Sequence, residues 1–159
     1  MRIISGKLRG RSINFLKNSK TRPLKDTVKE NIFNILKHSN LFSINIEKSN
    51  ILDLYSGIGS FGIECLSRGA KKATFIERDK LASDILKKNL LKLSIVDKSK
   101  IYNSEIKDIL TNRITEKFQI FFLDPPFKDS DFVQNLKLIK QKKLYDKNHI
   151  VIIHREKKA

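Results

Sequence analysis

The most constraining feature of the chain is a short apolar run that ends in a glycine turn and re-emerges as a helix. Ile51-Leu52-Asp53-Leu54-Tyr55 reads as a strand, Ser56-Gly57-Ile58-Gly59-Ser60 as the turn, and the residues through Leu66 as a helix closed by Gly69. The same grammar then repeats. Strand patterns at Ala73–Glu77, Lys100–Asn103, Gln119–Leu123 and Ile150–His154 alternate with helical patterns after Asp79, Glu105 and Ser130 or Asp131. Strands and helices alternating at this pitch predict a parallel, doubly wound α/β sheet. The 159 residues suffice for one such core.

Ahead of this block the chain is different. Arg2 to Ile13 predicts two short strands or an irregular hairpin around Gly6 and Gly10. Arg22-Pro23 predicts an extended approach, since a residue before proline is biased away from helix. Asp26 is placed to cap a helix carrying Val28, Ile32, Phe33, Ile35 and Leu36 at helical spacing. The organisation expected is a basic extension over residues 1–40 and one globular domain over residues 41–159.

Charge divides the chain in the same way. Lys and Arg number 33 against 17 Asp and Glu, a net +16. Residues 1–37 carry ten basic and two acidic residues, net +8; residues 38–139 carry sixteen and thirteen, net +3; residues 140–159 carry seven and two, net +5. An A+T-rich genome enriches lysine, isoleucine and asparagine alike, but it does not explain this uneven placement. Such an excess suits a polyanion, nucleic acid before membrane. No apolar run approaches the roughly 18 residues of a membrane span, and no signal-peptide pattern opens the chain. Cys65 is the only cysteine, which excludes an internal disulfide and fits a reducing cytoplasm. Neither Cys65 nor His38, His149 and His154 has metal-ligand spacing, so no metal is expected; His154 reads as a strand-end residue and His154–Lys158 as a basic exit from the last strand.

Two motifs carry chemistry. In the first, Asp53, Ser56, Gly57 and Gly59 surround a strand-to-helix turn where a ligand can approach the backbone, and Glu77 ends the next strand about twenty residues on, placed to accept from a ribose diol. Gly57, Gly59 and Gly62 also spell G-x-G-x-x-G, which leaves a nicotinamide or flavin dinucleotide open. A carboxylate at Asp53 is unfavourable beside a pyrophosphate and favourable beside an ammonium and a sulfonium, which points to S-adenosylmethionine. The second motif, Asp124-Pro125-Pro126-Phe127, follows an apolar strand. Ligands in open α/β sheets bind beyond the carboxyl ends of the strands, so the tetrapeptide falls beside the first motif. Two prolines stiffen it. Asp124 and the Pro125 carbonyl can hold the two hydrogens of an exocyclic amine, and Phe127 offers a face for a base.

The two motifs resemble the class I S-adenosylmethionine-dependent methyltransferases that modify amino nitrogens. Together with the Arg2–Arg11 segment, Arg22-Pro23 with Asp26, Lys29, Glu30 and Phe33, and Glu64 to Ala70, the chain resembles the bacterial RsmD-type 16S rRNA (guanine-N2) methyltransferases over nearly its whole length. The resemblance implies a Rossmann-like fold and transfer of a methyl group from S-adenosylmethionine to the N2 amine of a guanine in 16S rRNA or a small-subunit particle, by a monomer in the cytoplasm. It implies that Asp53, Ser56, Gly57 and Gly59 line the methionine part of the cofactor and that Glu77 holds the ribose. Glu105 stands where the family carries Asp or Asn against the adenine. Asp124, Pro125, Pro126 and Phe127 form the catalytic loop, and Arg2, Lys7, Arg9, Arg11 and Arg22 meet rRNA phosphates. The family's sheet has seven strands, and the expectation here is five, without the closing antiparallel pair. Three other functions remain open: another amino methyltransferase acting on adenine, cytosine or a protein glutamine, a non-catalytic rRNA-binding assembly factor, and a nicotinamide-dependent oxidoreductase.

Overall fold

The computed structural model describes residues 1–16, 24–39 and 44–155. Five strands form one sheet: β1 (Asn50–Leu54), β2 (Lys72–Ile76), β3 (Ser99–Tyr102), β4 (Phe118–Leu123) and β5 (Tyr145–Ile153). Their order is β3-β2-β1-β4-β5, and all four neighbouring pairs are parallel. The chain therefore winds outward in one direction through β1, β2 and β3, then returns beside β1 and winds the other way. The reversal lies between β1 and β4, where open α/β sheets form their binding crevice.

Helices cover both faces, because strand residues alternate between them. Ile51, Phe75, Ile120 and Phe122 share a core with α1 (Asp26–His38), α2 (Ser60–Ser67) and α3 (Lys80–Lys92). Leu52, Leu54, Ile76, Phe121 and Leu123 share the other core with α4 (Ile106–Asn112) and α5 (Phe132–Gln141). On the first face Phe33, Phe61 and Phe122 stack in a column, with ring centroids 5.2 and 4.1 Å apart. The arrangement ties α1 through α2 to the centre of the sheet, and such ring pairs add about 0.5–1.5 kcal/mol beyond their buried area.

Helix ends follow local chemistry. Asp79 caps α3 by accepting from the Ala82 amide at 2.9 Å. Asp26 does not cap α1: the helix begins on it, and Lys25 is the cap residue. An acid in the first turn still favours the helix through its dipole. The last strand starts five residues earlier than its apolar run, at Tyr145, with an irregular register between Phe118 and Ile120.

The N-terminal segment lies on the α1–α3 face. Arg2 and Ser12 form an antiparallel bridge, and Ile3 and Ile13 enter the first core, 1% and 2% exposed. The tip of the hairpin reaches the end of α2: the Lys7 amide donates to the Ser67 carbonyl at 2.8 Å, and the Leu8 amide to the Ser67 hydroxyl at 3.0 Å. Gly6 sits so close to this helix end that a Cβ would fall 2.0 Å from the Ser67 carbonyl oxygen.

Beneath the hairpin lies a buried polar knot. Glu64 is fully buried and accepts from the Ile4 and Ser5 amides, at 2.9 and 3.0 Å, and from Arg68 Nε at 2.9 Å. Lys29, equally buried, lies 3.4 Å from Glu64 and donates to the Arg2 carbonyl and the Ser60 hydroxyl, at 3.0 and 3.2 Å. Burial pushes the Lys29 ammonium below its ordinary range, and the Glu64 and Asp26 carboxylates pull it back.

Candidate functional site

A large cleft, about 1590 Å³, opens along the carboxyl ends of the strands. Its walls include Asp53 near the end of β1 and Tyr55 to Ile58 after it, Glu77 to Asp79 after β2, Glu105 after β3, and Asp124 to Asp129 after β4. The parallel sheet makes this convergence unavoidable, since every strand delivers its next residue to the same edge. The volume exceeds the roughly 300–1,000 Å³ of a typical small-ligand pocket, which leaves space for a second group beside a cofactor.

At the floor, Asp53 is 1% exposed. Its Oδ2 accepts from the Gly62 amide of α2 at 3.0 Å. Burial raises its carboxyl well above the ordinary range; the Gly62 hydrogen bond opposes the shift, and the neighbouring acids Asp124 and Glu77 add to it. Helix α2 can come this close because residue 62 is glycine: a Cβ would fall 2.4 Å from the Phe75 ring and 3.2 Å from Asp53 Oδ2. Gly59, at φ 91°, packs the turn against Leu86. Both glycines thus serve helix–strand packing.

Ser56 fastens the turn. Its hydroxyl lies 2.5 Å from the Asp53 carbonyl and 3.1 Å from the Ile76 carbonyl, joining the ends of β1 and β2. Glu77 completes the fastening: its two carboxylate oxygens accept from the Gly57 and Asp79 amides, each at 2.8 Å. A carboxylate has about four lone-pair sites, so the same group keeps capacity for a diol. Tyr55, in a left-handed conformation at φ 57°, is held through its hydroxyl by Asn135 Nδ2 at 3.0 Å. Burial pushes its phenol upward, so it stays neutral.

Glu105 stands at the far wall, exposed, with Arg78 3.8 Å away. Asn103 donates to the Glu77 and Arg78 carbonyls at 2.8 and 3.1 Å, which fixes the β2 exit. On the opposite wall the Asp124–Phe127 loop presents Phe127, 55% exposed, to the cleft. The Asp124 carboxylate is 2.9 Å from His154 Nδ1, and Arg155 donates to the Pro126 and Phe127 carbonyls at 3.4 and 3.2 Å.

The donor set suits a ligand with positive charge and a vicinal diol. Asp124 and Glu77 act on the buried Asp53 as like charges, and a cation beside them would relieve that repulsion. An anionic pyrophosphate at the same turn would meet three carboxylates.

Of the residues singled out from sequence, Asp53, Ser56, Gly57, Glu77, Glu105, Asp124, Pro125, Pro126 and Phe127 meet on this cleft. Arg2, Lys7, Arg9 and Arg11 are exposed on the hairpin and do not line it. The hairpin tip is at Ser67, seven residues along α2 from its cleft end, roughly 10 Å at 1.5 Å per residue. Arg11 donates to the Lys92 carbonyl at the end of α3. Arg22, with Pro23, lies outside the described residues, as do Glu156 to Lys158. His154, Arg155, Asn103 and Asn135 carry no signal of a role in this cleft in the sequence, where His154 and Arg155 read as part of a basic strand exit. The first two become visible only once β5 is known to pair with β4, because Leu123 and Ile153 are in register.

A family model described as conserved hypothetical protein 95 matches residues 1–159. Ribosomal RNA small subunit methyltransferase D of Haemophilus influenzae is 36% identical over 159 residues, covering 99% of this chain and 79% of that protein. The enzyme of the same name from Buchnera aphidicola (subsp. Baizongia pistaciae) is 34% identical over 156 residues, covering 98% of this chain and 76% of that protein. A solved Escherichia coli structure assigned as the methyltransferase yhhF superposes with a TM-score of 0.84 at 30% identity, over 99% of this chain and 82% of that one. The chain belongs to this family, the RsmD-type methyltransferases, and is an enzyme of that class.

Proposed function

We propose that the protein transfers the methyl group of S-adenosylmethionine to the exocyclic N2 amine of a guanine in 16S rRNA, as a monomer in the cytoplasm. The observation that carries this is the meeting of Asp53, Glu77 and the Asp124–Phe127 loop on one cleft at the carboxyl edge of the sheet. S-adenosylmethionine, when bound, supplies an electrophilic methyl on a sulfonium. Asp53 and Ser56 to Gly59 would hold its methionine end, Glu77 its ribose and Glu105 its adenine side.

The chain's own contribution to transfer is orientation and charge. A guanine amine is a poor nucleophile, because its lone pair is delocalised into the ring. Asp124 and the Pro125 carbonyl accept its two hydrogens and turn the lone pair out of conjugation. The Asp124 carboxylate also stabilises the positive charge that grows on nitrogen. Phe127 stacks on the base, which has been turned out of the RNA into the cleft. No covalent enzyme intermediate is required.

Residues 1–40 act as the RNA-binding extension and residues 41–159 as the catalytic domain. Arg2, Lys7, Arg9, Arg11 and Arg22 contact phosphates, arginine being suited to bidentate contact. Because the hairpin tip stands about one short helix away from the cleft, the RNA footprint runs from the target base across the α2–α3 face.

The test is incubation with labelled S-adenosylmethionine and unmodified 16S rRNA, followed by mass-spectrometric mapping of the methyl group. A single N2-methylguanine is the expected product. Asp124→Ala should lower kcat about 10²–10³-fold while RNA binding persists. Label on an adenine or cytosine would reassign the base, and binding of NAD in place of S-adenosylmethionine would overturn the assignment.

A further inference from the structure

The catalytic loop is held from the neighbouring strand. Leu123 and Ile153 are paired in register, so the residues that follow them, Asp124 and His154, leave the sheet side by side. The His154 amide donates to the Leu123 carbonyl at 2.9 Å, which continues the ladder one step past the strand end. His154 Nδ1 then sits 2.9 Å from Asp124 Oδ1, with both side chains 28% exposed. An ionised carboxylate only accepts hydrogen bonds, so the ring meets it with Nδ1 protonated.

Arg155 takes the other half of the loop. Its two terminal nitrogens donate to the carbonyls of Pro126 and Phe127, and its guanidinium lies 4.9 Å from the Phe132 ring centroid at the start of α5. The loop has its own internal turn, with the Asp129 amide donating to the Pro126 carbonyl at 2.9 Å. That turn secures the far end. It does not set the rotamer of Asp124 or the height of Phe127. Prolines fix backbone φ and set no side-chain torsion of Asp124.

We propose that His154 and Arg155 are positioning residues for methyl transfer: His154 orients the Asp124 carboxylate, and Arg155 fixes the backbone that carries Phe127. The proposal rests on the methyl-transfer function above. A hydrogen bond from Nδ1 restricts the carboxylate plane and withdraws charge from it, so Asp124 holds the amine hydrogens in place. Alignment of the lone pair needs side chains whose rotamers are locked by such outer contacts. The pair His154-Arg155, which reads in sequence as a basic tail, spends its donors on the loop.

Four variants test this: His154→Ala, His154→Asn, Arg155→Ala and Arg155→Lys, compared with wild type. The readouts are kcat and KM on unmodified 16S rRNA, the S-adenosylmethionine Kd by calorimetry, and the melting temperature. His154→Ala should lower kcat about 10–100-fold, the scale of a small misplacement at a reacting centre, with the cofactor Kd within twofold of wild type. His154→Asn should recover most of that loss, because its carboxamide N–H replaces the Nδ1–H. Arg155→Ala should lower kcat by a smaller factor, and Arg155→Lys should not rescue it, since one ammonium cannot span both carbonyls. A His154→Ala kcat within twofold of wild type would overturn the proposal. So would an Asn variant no better than Ala while cofactor affinity and melting temperature fall together, which is the mark of simple packing. Wild type that transfers no methyl to rRNA would overturn the methyl-transfer function itself, and the positioning role with it.

Discussion

Two carboxylates are buried on either side of helix α2, and they live in opposite circumstances. Glu64, at its hairpin side, is surrounded by donors: two backbone amides, Arg68 and Lys29. Asp53, at its sheet side, has the Gly62 amide, and the charged groups acting on it are the acids Asp124 and Glu77. Both are essentially solvent-free, at 0% and 1% exposure. Burying a charge is expensive unless it is paired. Glu64 meets that demand inside the protein and so serves the fold. Asp53 has acids for its charged neighbours, which fits its proposed role of holding the cationic end of the cofactor. A buried acid with its own cation is architecture, while one facing other acids across a cleft marks a binding site.

The comparison can be broken most forcefully at Glu64. Glu64→Ala strips Lys29 of its stronger counter-charge, Asp26 remaining, and removes the acceptor of the Ile4 and Ser5 amides. Loss of one partner of a buried pair costs about 3–5 kcal/mol, so the urea midpoint should fall sharply. A loss below about 1 kcal/mol would show that the knot is not what holds the hairpin down.

Asp53→Asn should act in the opposite direction on stability and in the same direction on function. A carboxyl raised in the folded state binds a proton more tightly there than in the unfolded chain. Over pH values above the ordinary carboxylate range near 3.9, the wild type therefore loses stability as pH rises. The Asn variant escapes that loss. Its ligand-free melting temperature should exceed wild type at pH 7, by about 2–4 °C for each kcal/mol recovered, and the gap should close as the pH approaches 4. Cofactor affinity should drop in the same protein. Equal melting curves at both pH values would mean that Asp53 is not under strain.

The smallest effect belongs to the outer surface of the hairpin. Replacing Arg9 and Arg11 with serine removes two of the proposed phosphate contacts and should flatten the slope of log K against log salt for RNA by about 1.5. Cofactor affinity should stay unchanged, because the hairpin does not line the cleft. A parallel fall in cofactor affinity would assign the segment to structure alone.

The sequence made the cleft legible because its residues sit at strand ends. Glu77 and Asp124 each close an apolar run and Asp53 sits near the end of one, and a parallel sheet gathers such positions on one edge whatever the strand order. The turn glycines were equally legible, and the structure adds a packing role for two of them: Gly62 admits α2 against Phe75, and Gly59 seats the turn on Leu86. Glu64 and Lys29 appeared only as part of a family likeness, since nothing local says that two charges 35 residues apart share one dry pocket. The hairpin's basic character was plain, while its distance from the cleft was not, because that depends on which end of α2 the tip meets.

Sequence alone therefore determined the alternation of strands and helices, the edge on which chemistry gathers, and the acidic character of that site. These follow from local periodicity and from the geometry of a parallel strand. The tertiary structure decided which carboxylate is satisfied, where the basic hairpin lies and what steadies Asp124. Those questions turn on partners far apart in the chain, such as His154 on β5 facing Asp124 after β4. Such pairs exist only after the sheet has chosen its strand order, because hydrogen bonding and desolvation act over a few ångströms of space and are blind to distance along the chain.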